Sequence, residues 1–202
     1  MSTKELTEAL FKVIKGGDPE NSMHFIDKGA DINGRDESGN TPLMHAAMYG
    51  FTDTARLFID SGADINVQNK LGITPLIFAC RSNHVGVVRL LVSRGANVNV
   101  KDINGDTPLL YACKNGDMDI IHLLVDFGAD VNARDQEGNT AFMRAIENNC
   151  TGMINFLISQ GSDLKAVNIH RKTALDIAND KGLFRVVNEI KFKILEEQKK
   201  AS

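Results

Sequence analysis

Apolar residues fall into two kinds of short run that alternate along the chain, with polar turns between them. Leu76, Ile77, Phe78, Ala79 and Cys80 exemplify the first kind; Val87, Val88, Leu90, Leu91 and Val92 exemplify the second. The pair recurs with a fixed step. Thr41, Thr74, Thr107, Thr140 and Thr173 stand 33 residues apart, and each opens a near copy of one phrase, from Thr41-Pro-Leu-Met-His-Ala-Ala to Thr173-Ala-Leu-Asp-Ile-Ala-Asn. A period of that length marks a solenoid, in which each repeat buries its apolar face against its neighbours.

Residues 69–99 show how one unit folds. Asn69-Lys-Leu-Gly72 reads as a turn, because an Asp or Asn side chain bonds back to the backbone and Gly accepts positive φ. The slot repeats as Asp36 to Gly39, Asp102 to Gly105 and Asp135 to Gly138. Thr74 then serves as N-cap, with Pro75 at the first helical position, where its missing N–H costs nothing. The helix runs through the small residues Ala79 and Cys80 and stops at Asn83. That slot holds Gly17, Gly50, Gly116, Asn149 and Gly182 elsewhere, all residues that tolerate the left-handed conformation closing a helix. A second, longer helix ends at Gly95, in register with Gly29, Gly62, Gly128 and Gly161. Ala96-Asn-Val-Asn99 leads on as an extended arm.

The Thr-Pro-Leu-x-x-Ala phrase, and the Gly-Ala-Asp-Ile-Asn phrase at Gly29 and Gly62 with its kin at Gly95 and Gly128, together resemble the ankyrin repeat. The likeness covers nearly the whole chain. It implies a mainly α fold, an ankyrin-repeat solenoid of stacked helix-turn-helix units with β-hairpin fingers at right angles to the helices. One domain is expected over 1–202: an N-terminal cap repeat (1–33), internal repeats 34–66, 67–99, 100–132 and 133–165, and a C-terminal cap (166–202) with an extended last helix.

The ends depart from the pattern as capping repeats should. Glu8 stands in the Thr slot of the first repeat, and Arg171 and Ala174 replace the turn Gly and the Pro of the last. Leu183, Val187, Ile190 and Ile194 give the final helix one apolar stripe, read as a lid on the core; the charged run from Glu196 to Lys200 is expected to fray. The family usually has His after Thr-Pro-Leu, tying neighbouring loops together. Met44, Ile77, Leu110 and Met143 fill that slot here, so apolar packing is expected in its place.

Composition narrows the function. Net charge is −3 with both signs mixed, which argues against a general nucleic-acid or membrane-surface binder. No stretch approaches the roughly 20 apolar residues of a membrane helix. The polar N-terminus, with no apolar run of a leader, points to a cytoplasmic protein, or an exported one if a leader has been removed. Cys80 and Cys113 lie one period apart, farther than a disulfide spans, which fits a reducing compartment. No phosphate loop, nucleophile elbow, His-Glu-x-x-His or Cys-x-x-Cys occurs, and the five histidines are scattered. No catalytic, cofactor-binding or metal residue is therefore assigned, which argues against an enzyme.

The resemblance places contacts on the finger tips and the exposed side of the inner helices. Carried over slot by slot, the candidate partner-binding residues are Glu37, Met48, Tyr49, Lys70, Leu71, Ile73, Phe78, Arg81, Ile103, Asp106, Tyr111 and Lys114. Leu71, Ile73 and Ile103 stand out as apolar residues where solvated turns should be polar. Tyr49 and Tyr111 stand out because Tyr and Arg are enriched among residues that dominate binding energy. The expected function is non-catalytic binding of a protein partner by an array monomeric on its own, acting by occupation as an inhibitor or stabiliser. A two-partner scaffold is the alternative, followed by a nucleotide- or nucleic-acid-binding array, for which Arg35, Lys101 and Arg134 recur in one finger slot. Each of those adjoins an Asp, so turn-flanking solubility is the simpler reading.

Overall fold

The computed structural model describes residues 1–201, the side chains of residues 197, 200 and 201 aside. The described residues form six helix pairs: α1 (Thr3–Ile14) with α2 (Pro19–Asp27), α3 (Pro42–Tyr49) with α4 (Thr52–Asp60), α5 (Pro75–Arg81) with α6 (Val85–Ser93), α7 (Pro108–Asn115) with α8 (Met118–Asp126), α9 (Ala141–Glu147) with α10 (Thr151–Ser159), and α11 (Ala174–Asp180) with α12 (Phe184–Ala201). Odd-numbered helices form one continuous inner row, packed more closely than the outer row. Ala46, Ala79, Ala112, Ala145 and Ala178 on that row are fully buried and permit the close approach. Tighter spacing on one side of a stack curves it toward that side.

Local chemistry builds each unit as the sequence implies. The hydroxyls of Thr41, Thr74, Thr107, Thr140 and Thr173 accept the backbone N–H three residues on, at 3.2–3.4 Å. Asn83 and Asn149 hold positive φ (62° and 51°) in the slot that glycine fills elsewhere. At Gly50 the demand is double: φ is 79°, and an added Cβ would lie 2.6 Å from Nδ1 of His84. Met44, Ile77, Leu110 and Met143 are buried, so apolar packing does replace the family's histidine.

Two expectations need amending, on the fingers and on the end of α12. The fingers are tight turns, each closed by two backbone bonds such as Asp36 N–H to Asn40 O and Gly39 N–H to Asp36 O (both 2.9 Å); among the described residues β pairing is limited to isolated bridges at Arg134–Thr140 and Val167–Thr173. Helix α1 begins well before Glu8, with Ser2 and Glu5 forming a reciprocal capping box. Helix α12 stays helical through Ala201 rather than fraying from Glu196, helped by a Lys193–Glu196 pair at 2.8 Å. Beyond the buried stripe of Val186, Val187 and Ile190, α12 turns Phe184, Phe192 and Leu195 outward.

The repeats are tied together by side chains the sequence reading overlooked. The amides of Asn33, Asn66, Asn99 and Asn132 donate to the carbonyls of Gly62, Gly95, Gly128 and Gly161 (3.0–3.4 Å). Their Oδ1 atoms accept from the backbone N–H of Asp64, Asn97, Asp130 and Asp163 (2.7–2.9 Å). Each asparagine thus closes a two-bond clasp onto the next arm. Where the slot becomes Lys165, helix α12 takes the place of a following arm, and the ladder ends.

Arg171 occupies the turn slot that glycine fills at Gly39, Gly72, Gly105 and Gly138, and keeps their left-handed backbone, with φ of 57°. That conformation costs a side-chain-bearing residue about 1–2 kcal/mol, partly offset by the greater chain entropy that glycine loses on folding. Arg171→Gly is expected to raise stability by about 0.5–1 kcal/mol, read as a higher urea midpoint at unchanged slope.

Candidate functional site

Each finger begins with Asp or Asn, and one oxygen of that side chain is consumed locally. Asp102 Oδ1 accepts the N–H groups of Asn104 and Asp106 (2.8 and 3.0 Å); Asn69 Oδ1 does the same for Leu71 and Ile73 (both 2.9 Å). The second atom reaches the inner helix nine residues on. Asp36 Oδ2 meets His45 Nε2 (2.8 Å), Asp102 Oδ2 accepts from Tyr111 Oη (2.8 Å), and Asp135 Oδ2 accepts from Arg144 (2.6 Å).

Where the finger begins with Asn, the partner slot is apolar, Phe78 for Asn69 and Ile177 for Asn168. The asparagine amide then turns to the preceding finger, donating to Asn40 Oδ1 (2.7 Å) and Asn139 Oδ1 (2.9 Å). A buried carboxylate oxygen needs a donor, which the inner helix supplies, whereas an amide N–H needs an acceptor, which the preceding finger supplies, so the two slots are matched in all five repeats.

This geometry sets the electrostatics. Burial opposes the Asp36 carboxylate, but hydrogen bonds from Asn40 and His45 outweigh it and hold that carboxyl below the usual range. Burial and the bond to Asp102 keep the Tyr111 phenol protonated well above its ordinary range. Burial, with the Asp102 and Asp135 carboxylates beside it, raises Asp106. Arg144 is burdened by burial, yet Asp135 and Glu147 hold its charge more firmly than usual.

The candidate residues separate on this map. Leu71 (50% exposed) and Ile103 (53%) project from adjacent fingertips, joined by the Ile103 N–H to Leu71 O bond of 3.0 Å. Tyr49 is 37% exposed, its ring 5.7 Å from Phe51, and Met48 beside it is half-buried. Glu37, Lys70, Arg81 and Lys114 are exposed, with Lys70 Nζ on the Glu37 carbonyl at 2.6 Å; Asp106 is half-buried.

Three residues depart from the expected surface. Ile73 is 3% exposed, inside the core and not at a fingertip, and Phe78 is 8% exposed between repeats. Tyr111 is half-buried with its hydroxyl held by Asp102, which makes it a structural tie. The slot of Ile73 is buried again at Asn139 (3% exposed), half-buried at Asn40 and Asp106, and exposed at Lys172. The recurring cations Arg35, Lys101 and Arg134 are also ties, donating to the carbonyls of Gln68, Arg134 and Val167 at 2.8–3.3 Å.

A shallow hollow of about 1030 Å³ lies between α1 and the first finger, lined by Phe11, His45, Lys4, Lys12, Lys15 and Glu8 among others. Cys80 and Cys113 are buried, and burial raises both thiols well above their ordinary range. No cluster of His, Cys, Asp and Glu able to hold a metal ion occurs among the described residues. No described helix is long and apolar enough to cross a membrane.

Comparison with curated proteins returns no significant match. The family model for ankyrin repeats (3 copies) matches residues 10–102 and 99–168, most of the chain and all four Asn clasps. With the clasps, the capped helix pairs and this match in agreement, the chain belongs to the ankyrin repeat family, whose members are generally protein–protein interaction modules rather than catalysts.

Proposed function

We propose that the chain binds a partner protein across the face formed by its fingertips and inner helices, and acts by occupying that partner. The observation that carries this reading is the pair Leu71 and Ile103, two half-exposed aliphatic side chains on neighbouring fingertips. Fingertips elsewhere in the internal repeats carry Glu37, Ser38, Gln136 and Glu137. Large apolar side chains held at such tips gain nothing for the fold and gain burial on association.

The face around them is stiff. Neighbouring fingers are linked by backbone bonds such as Lys70 N–H to Ser38 O (3.2 Å) and Gln136 N–H to Asn104 O (2.9 Å), and the Asp–donor bonds tie fingers to their own inner helices, so little ordering is left to oppose binding. A rigid surface of this kind suits masking or stabilising a partner. The outward stripe of Phe184, Phe192 and Leu195 on α12 favours, as a second reading, a scaffold that holds another protein at its C-terminal end.

Leu71→Ser with Ile103→Ser tests the main reading, because both side chains are exposed and their loss leaves the core intact. Captured from its native cell, a partner is expected to bind at least thirtyfold more weakly to the double variant, as for loss of a ~2 kcal/mol anchor. Circular dichroism melts should coincide. Undiminished capture by a folded variant would move the site elsewhere, and a complex lost only on Phe184→Ser with Phe192→Ser would place it on α12.

A further inference from the structure

The inner helices present one slot, a single repeat apart each time, along the whole face: Lys15, Met48, Arg81, Lys114, Glu147 and Asp180. The row is cationic toward its N-terminal end and anionic toward the other. Its two carboxylates are already paired within the array, Glu147 with Arg144 (3.2 Å), a cation it shares with Asp135, and Asp180 with Lys172 (2.6 Å). Arg81 and Lys114 are exposed and make no ion pair among the described residues. The field of Asp106 reaches Lys114 without forming an ion pair with it. The charges of the row that no opposite side chain holds are therefore cationic, although the chain as a whole is −3.

Leu71 and Ile103 stand on the two fingers whose inner helices carry Arg81 and Lys114. An aliphatic pair thus faces a cationic pair across the same two repeats. We infer that the partner presents an extended acidic and apolar segment here, with Leu, Ile or Phe against the fingertips and carboxylates against Arg81 and Lys114. This inference rests on the binding reading above and names its chemistry. Neighbouring helices lie ~10 Å apart, which a polyproline-II segment crosses in one turn of three residues at about 3.1 Å each. Carboxylates three residues apart would match the two cations. A nucleic acid is disfavoured by the same residues, since aliphatic fingertips offer no ring on which bases stack.

Selection from a random dodecapeptide display library on the immobilised full chain tests the inference directly. Recovered peptides are expected to be several-fold enriched in Asp and Glu beside Leu, Ile or Phe. Arg81→Glu with Lys114→Glu should abolish that enrichment and recover Lys- and Arg-bearing peptides instead. A synthetic peptide from the first selection should lose about tenfold in affinity between 50 and 300 mM salt, as expected for exposed charges.

Peptides that need Leu71 and Ile103 but carry no excess of acid would overturn the acidic class and leave the binding reading standing. Peptides indifferent to both double variants would overturn the face itself, and recovery of nothing above background would do the same. Tighter binding of a fluorescent twenty-nucleotide RNA than of the best peptide would overturn the polypeptide partner.

Discussion

Truncating Phe142 to alanine is expected to cost about 3–5 kcal/mol and to split unfolding into two steps. Phe142 lies on α9 and is fully buried, so the loss combines transfer and cavity terms. Whole domains are stable by only about 5–15 kcal/mol. In a globular fold such a loss would weaken the entire structure at once. Here α9 packs chiefly on α7, α10 and α11, and a solenoid's stability is a sum of repeats and nearest-neighbour interfaces.

The cavity therefore weakens two interfaces, and the pairs α3–α4, α5–α6 and α7–α8 keep all their contacts with one another. Urea titration followed by circular dichroism should show an early step confined to the C-terminal helices, then a second near the unmodified midpoint. Hydrogen exchange should show protection lost first in α9 to α12. Phe142→Leu is the control: the slot holds Leu43, Leu76, Leu109 and Leu175 in the other repeats, so it should cost only about 1 kcal/mol. A single cooperative transition for Phe142→Ala would show that the array couples over more than nearest neighbours.

The helix pairs were legible in the sequence because each signal acts within a few residues of itself. Thr41 caps its own helix, Pro75 sits at its own first turn, and Asn83 closes its own last one. What escaped was anything acting across one period. Asn33 bonds Gly62 and Asp64, and Lys101 bonds Arg134, partners about one repeat away. A recurring Asn or Lys looks the same whether it serves its own turn or the next one.

Ile73 was misplaced for a related reason. Its slot holds Asn40, Asp106, Asn139 and Lys172 elsewhere, so composition put it outside. Yet Asn139 in that slot is buried against Asp135 and Glu137. Once Asn69 sends its amide to Asn40 and Phe78 replaces a donor, nothing polar remains to be satisfied in that finger, and isoleucine fits. Tyr111 was readable as an anchor only while its position nine residues after Asp102 carried no meaning.

That nine-residue pairing yields the second large effect, expected when Arg144 is replaced by Phe. Asp135 would then keep a side chain that is only 4% exposed with its strongest donor gone. Breaking a fully buried ion pair costs about 3–5 kcal/mol. The Arg144 side chain is 26% exposed, and solvent screening brings the expectation down to about 2 kcal/mol.

Adding Asp135→Asn should return most of that loss. The double variant reproduces the Asn69–Phe78 arrangement, and the introduced amide has an acceptor at Asp106, in the slot where Asn40 accepts from Asn69. Asp135→Asn alone should be milder than Arg144→Phe, because Arg144 retains Glu147 at 3.2 Å. A double-mutant cycle is therefore expected to give a coupling of about 1–2 kcal/mol, favourable to the pair of changes.

An independent readout comes from Asp106, whose carboxyl is raised by burial and then by Asp102 and Asp135. Removing the Asp135 charge in Asp135→Asn alone, where Arg144 stays to oppose the rise, should bring its titration, followed by NMR, back toward the ordinary carboxylate range. Strict additivity of the two substitutions would mean that the Asp–donor and Asn–apolar alternation in these five repeats is coincidence. Coupling with an unmoved Asp106 titration would place the introduced amide somewhere other than on that carboxylate.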